Sequence, residues 1–249
     1  MSLVKTLLLA CVGLSLAGAA QAQGAAKPLR FAVMPKGMNN PYFDLSRDGC
    51  MKRAKELGNI ECTYRGPVEH EPASQVQIIQ DLITQGVDGL AISVPDAAAA
   101  VGVIKQARDA GIPVITFDAD SPKSARQAYV GTDNKEMGRE LGRQLMKIKP
   151  KPGVFITQSG GPAAENLNER LAGLREVLEG AGWKMAPGSP AYCNDDSALA
   201  AQQLLDQTTA NRTLTPSCRL AAGRYSRLKP TRRSCVPTNA TTPAASSHS

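Results

Sequence analysis

Eight side chains in this 249-residue sequence could form a hydrogen-bonding site: Lys36, Asn40, Tyr42, Phe43, Asp118, Asp120, Asn166 and Asn168. They fall in three short stretches, PKGMNNPYF from Pro35, DADSP from Asp118 and SGGPAAENLN from Ser159. A carboxylate accepts from two vicinal hydroxyls at once, an amide both donates and accepts, and an aromatic face covers the C–H side of a sugar ring. The inventory suits a polyol. Each residue also has a plainer role open to it. Asn40 before Pro41, and Asn166 and Asn168 at a helix start, can serve as caps, while Tyr42 and Phe43 can simply pack there. Asp120 can cap the Ser121-Pro122 turn, and Lys36 contributes only to an anionic or acceptor-rich ligand. Asp118 stands apart, because a carboxylate ending an apolar strand is costly unless something pairs with it.

Other chemistries lack their residues. Neither GxGxxG nor GxxxxGK[ST] occurs, so a nucleotide has no phosphate cradle. His70 and His248 are the only histidines, which leaves a histidine-rich metal site or a Ser-His-Asp triad with almost nothing to draw on. No cofactor or metal is expected. An acid–base pair would have to come from Asp118 and Asp120 on one loop, which defines the alternative reading, an exported sugar-processing enzyme.

The elements that must position these loops alternate regularly. LRFAVMP, from Leu29, is a short apolar run between prolines, hence a buried strand. Residues 42–57 repeat apolar side chains at helical spacing, with Gly58 as a stop. The unit then recurs: strand IECTYRG, helix SQVQIIQDLITQG, strand GLAISVP, helix AAAAVGVIKQARDAG, strand IPVITFD and a fifth strand in QAYVGTDN. From Lys135 it restarts as helix KEMGRELGRQLMKI, strand PGVFITQ, helix ENLNERLAGLREVLEGAG, strand KMAPGSPAYC and helix SALAAQQLLDQTTAN. Strands alternating with helices imply parallel sheets, and Val/Ile/Leu-rich strands imply burial on both faces. The expected class is doubly wound α/β, with a second lobe of similar build. In such sheets ligands collect at the carboxyl ends of strands, where the three polar stretches lie.

Charge and termini set the boundaries. The formal charge is +7, but six basic residues and no acid lie beyond Ser217. Setting these and Lys5 aside leaves 22 basic against 22 acidic side chains, so the body is neutral. Lys5, the apolar run 6–20 and Ala20-Gln21-Ala22 read as a signal peptide cut before Gln23. The expected organisation is 1–22 leader, 23–133 first lobe, 134–214 partial second lobe and 215–249 aberrant basic, disordered tail. Five cysteines would follow the cut; Cys50 and Cys62 either form a disulfide or stay as small buried apolar side chains, the favoured reading.

The order PKGMNNPYF, QVQIIQDLITQGVDGLAISVPD, AGIPVITFDADSP and YVGTDN resembles the type I periplasmic binding proteins of sugar ABC importers. Within them it is similar to the ribose, xylose, rhamnose and furanosyl-signal binders, over residues 29–214. The resemblance implies two Rossmann-like lobes closing on a monosaccharide for delivery to an importer permease. By position it puts Asn40 and Phe43 on the sugar ring, Asp118 on its hydroxyls and the 166–168 segment on the far side. Ribose binders carry Arg where this chain has Ala119 and Asn168, which disfavours ribose; Lys36 fits the furanosyl-signal or rhamnose branch. LacI-type repressors share the fold, but a leader peptide and no helix-turn-helix before Leu29 exclude nucleic acid as a partner. A periplasmic monomer is expected. After Leu214 the family continues with a strand and a WPLFAP loop; a permitted codon set for residues 215–230, shifted by two nucleotides, encodes AVMPAGGWPLFAPEA. The basic tail therefore reads as a frameshift product, and weak or absent sugar binding is expected of the chain.

Overall fold

The computed structural model describes residues 27–211 and 220–221. The leader and most of the basic tail, with Cys218, Cys235 and His248, lie outside the described residues. The first half is one parallel sheet of five strands: β1 Leu29–Met34, β2 Ile60–Tyr64, β3 Gly89–Ile92, β4 Val114–Phe117 and β5 Ala128–Val130. Their spatial order is β2-β1-β3-β4-β5. Burial follows that order. Central β3 is almost wholly buried, whereas β2 and β5, at the edges, alternate with exposed positions.

The crossovers are helices α1 Asp44–Leu57, α2 Pro72–Gln85 and α3 Ala100–Asp109, as the helical spacing predicts. Met34, Ile92 and Val114 from the sheet pack with Ile79, Leu82 and Ile104 from α2 and α3 in one core. Each such side chain contributes about 1.5–3 kcal/mol by leaving water. Gly58 and Gly86 end α1 and α2 with φ of 73° and 64°, the left-handed turn that carries no penalty without a Cβ. The cysteine expectation is corrected: Cys50 on α1 and Cys62 on β2 form a disulfide that staples a helix to an edge strand.

The second half is built around helices α4 Asn134–Ile148 and α5 Glu165–Gly180. Gly138 and Gly173 let them touch: a Cβ on Gly138 would strike the Arg170 carbonyl, and one on Gly173 the Lys135 carbonyl. Asp133 caps α4 by accepting from Glu136 N at 2.9 Å. Leu145, Leu174, Leu178, Phe155 and Trp183 form the core beneath the pair.

Two expected strands are each divided. PGVFITQ becomes β6 Val154–Phe155 and β7 Thr157–Ser159, and KMAPGSPAYC becomes β8 Lys184–Met185 and β9 Ala191–Tyr192. β6 pairs with β8, and β7 with β9, both parallel. The break has a local cause. Pro187 and Pro190 have no N–H for a ladder, and Ala186 accepts from Ser189 N at 3.2 Å in a turn instead. Helix α6, Ser197–Ala210, buries none of its residues, and within the expected tail Leu220–Ala221 forms β10 beside β7.

Candidate functional site

The loop after β1 carries four of the predicted residues. Asn40 accepts from Tyr42 N at 3.1 Å and caps a 3-10 turn over Pro41–Phe43, the capping role its sequence context suggested. Phe43 is fully buried, its ring edge-on to Phe117 at 6.1 Å and to Tyr42 at 5.3 Å. Tyr42 is the exposed ring of the pair. Upstream, Lys36 is only 2% exposed, far from the solvated charge such a loop position would ordinarily hold.

Its partners explain the burial. Lys36 Nζ donates to Asn166 Oδ1 at 3.1 Å and lies 3.8 Å from Asp118 Oδ2. Ser93 Oγ at the end of β3 donates to the same Asp118 oxygen at 2.9 Å. Asp118 terminates β4 in the left-handed region, φ 59°, a conformation costly for a residue with a Cβ and one that gathers at ligand sites. Gln75 on α2 fixes the neighbouring backbone, donating to the carbonyls of Pro35 at 3.1 Å and Ser93 at 3.0 Å. Three strand ends and the start of α5 thus converge on one buried polar cluster.

Asp120 faces other groups. Arg126 clasps it with Nε and Nη2, Thr116 Oγ1 donates at 2.5 Å and Ser121 N at 2.8 Å. Burial alone would raise this carboxyl; the hydrogen bonds from Arg126, Thr116 and Ser121 outweigh it and hold it below the ordinary range. Asp118 thus meets Ser93 and Lys36, whereas Asp120 meets Arg126, Thr116 and Ser121. Asn168 Nδ2 donates to Pro162 O at 2.8 Å, bracing the loop that leads into α5.

Several contributors have no place among the sequence candidates: Ser93 and Arg126, which bond the two carboxylates, Gln75, which bonds the backbone of Pro35 and Ser93, and His70. The imidazole Nδ1 of His70, after β2, lies 3.1 Å from Asp195 Oδ2, before α6. The strand-end rule that nominated the loops after β1 and β4 applies equally after β2 and would have found it. Tyr129 on β5 links the halves at their junction, donating to Asp118 O at 3.0 Å and accepting from Asn134 Nδ2 at 3.1 Å. Burial raises its phenol, partly offset by the Asn134 hydrogen bond.

The cluster brings together a cation, an amide, a carboxylate and a hydroxyl. That is chemistry for holding a polar ligand by many directional hydrogen bonds. Among the described residues no group of three His, Cys, Asp or Glu could hold a metal ion, and no helix is long and apolar enough to cross a membrane.

A model of the periplasmic binding protein domain matches residues 31–220. The D-ribose/D-allose-binding protein of Pseudomonas aeruginosa is 32% identical over 192 residues, 74% of this chain and 60% of that protein. The ribose import binding protein RbsB of Escherichia coli is 27% identical over 160 residues, 64% of this chain and 53% of that protein. The chain thus spans little more than half the length of these relatives. A solute-binding protein of an ABC transporter from Burkholderia graminis, solved with D-arabinose, superposes with a TM-score of 0.73 at 32% identity, covering 81% of this chain and 68% of that one.

Proposed function

Since the chain belongs to the periplasmic binding protein domain family, we propose that it captures a monosaccharide or related polyol between its two lobes for delivery to an ABC importer permease. The observation that carries the reading is the buried Lys36–Asn166 hydrogen bond of 3.1 Å beside Asp118, which brings the first lobe's strand ends onto the second lobe's helix start. Lys36, Asp118 and Asn166 hold the sugar hydroxyls, and Tyr42 lines the edge of the site. Asn40 and Phe43 shape the first loop, while Asp120 and Asn168 position the loops on either side. The sugar-named relatives support this ligand class, and the disulfide, which persists in an oxidising compartment, supports the periplasmic location. In this reading the chain is a periplasmic monomer without catalytic activity or nucleic-acid partner, reaching its compartment through the 1–22 leader.

Calorimetric titration with D-ribose and D-arabinose tests it. A dissociation constant of roughly millimolar order is expected, because the second lobe's sheet is assembled from two- and three-residue strands. Asp118→Ala and Asn166→Ala should each weaken binding about tenfold or more, since each leaves Lys36 a buried cation short of an acceptor. Sugar-dependent heat that is identical in all three proteins would sink the assignment, and turnover of either sugar would favour the enzyme.

A further inference from the structure

One contact between the halves lies apart from the polar cluster, at residues that the proposed sugar site does not include. His70 sits in the loop after β2 and Asp195 in the loop before α6, 125 positions apart, yet Nδ1 and Oδ2 are separated by 3.1 Å. Both side chains are largely removed from water, 8% and 16% exposed. A carboxylate oxygen can only accept, so this contact selects the imidazole tautomer with hydrogen on Nδ1.

The second half is shaped around the pair. A Cβ on Gly161 would come within 2.5 Å of His70 Nε2, and one on Gly160 would strike the Asp195 carboxylate. Consecutive glycines therefore open the space the two side chains fill. Asn194 and Asp195 themselves adopt φ of 48° and 61°, the left-handed region that L-residues enter at a cost. Two residues along the same glycine loop, Ala163 O accepts from Ala97 N at 3.2 Å, the backbone bond by which the turn after β3 meets the second half. Imidazole, carboxylate, glycine pair and backbone bond make up a continuous seam.

We propose that His70 and Asp195 form a latch that sets how closely the two lobes approach, and so positions Asn166 against Lys36 for ligand capture. The inference rests on the reading of the cleft as a sugar site, but the latch acts with or without sugar. A two-lobe trap binds with its intrinsic affinity multiplied by the fraction of molecules in the closed arrangement. Removing a hydrogen bond to a charged group lowers the closed-to-open ratio about tenfold or more, and the closed fraction falls with it. The ligand need not touch either residue for its affinity to fall.

Hydrogen exchange at the Ala97 amide in the full chain, without sugar, reads the latch directly. His70→Ala and Asp195→Ala should each speed that exchange about tenfold, leaving exchange in the β1–β3–β4 core and the melting temperature unchanged. The double variant should be no faster than either single one, because both remove the same contact. His70→Asn, whose amide N–H stands near the Nδ1 position, should restore most of the protection. Should His70→Ala fail to fold, Gly161→Ala, which displaces the imidazole, gives the same readout. Unchanged Ala97 exchange in the single variants, or single effects that multiply in the double, would overturn the latch. Failure to bind D-ribose and D-arabinose would count against those two sugars as ligands and not against the latch, which the exchange pattern decides for or against on its own.

Discussion

The first sheet and the strands beyond Gly153 come from the same alternation of strand and helix, yet they are built very differently. In the first, β1 pairs with β2 over five registers and with β3 over four, and the core beneath draws on three strands and two helices. In the second, each strand pairing spans two residues, and α6 buries none of its side chains. What holds the second half is instead the direct contact of α4 with α5, through glycines at Gly138 and Gly173. Stability in one lobe is spread over a sheet; in the other it is concentrated in one helix pair.

Substitutions can break that contrast. Ile104→Ala empties a fully buried position of the first core and should lower unfolding free energy by about 3 kcal/mol, read as a fall in denaturant midpoint. An effect below about 1 kcal/mol would mean the first lobe is no better packed than the second. Arg126→Ala comes next, at about 2 kcal/mol at pH 7, because it leaves Asp120 a mostly buried carboxylate without its cation. Since Asp120 is held below the ordinary carboxylate value, the pair's stabilisation is present above about pH 4 and is lost as pH falls further. The gap between wild type and variant should therefore close in acid, and a gap that persists at pH 2 would point to packing by the Arg126 stem. Leu205→Ala should cost least, under about 0.5 kcal/mol, as its side chain is 56% exposed on α6. A larger loss there would show that α6 is covered in solution and would erase the contrast.

The same contrast marks what the sequence could disclose. Apolar runs bounded by proline or glycine, such as Leu29–Met34, specify buried strands because periodicity and burial agree. KMAPGSPAYC reads as a single strand only if Pro187 and Pro190 are treated as tolerable, whereas each removes a ladder donor and the chain turns between them. Caps were legible because they are local: Asn40 reaches two residues ahead and Asp120 one. The cleft pairing was not, since Lys36 and Asn166 are 130 positions apart and nothing local announces it. Asp118 could be singled out from the cost of its charge, but Ser93 and the left-handed backbone that aim it follow from the fold alone. Arg126 escaped for a simpler reason, since a single charged residue in a loop has no period, whereas His70 lies after a strand end and was open to the same rule as Lys36.

The glycine contact between α4 and α5 also has a mechanical meaning. Helices that meet backbone to backbone cannot slide or bend past one another without collision, so the pair moves as a single bar. One end is pinned near the junction, where Asn134 binds Tyr129 and Arg170 Nε donates to Asn134 Oδ1 at 2.8 Å. Asn166 sits on the first turn of α5, close to that pin, while Gly180 ends the helix about 24 Å from its start. A small rotation at the junction swings the remote end widely and shifts the amide in the cleft only slightly. Such a bar trades amplitude for precision: the lobe can swing while the atom that must meet the ligand keeps its aim.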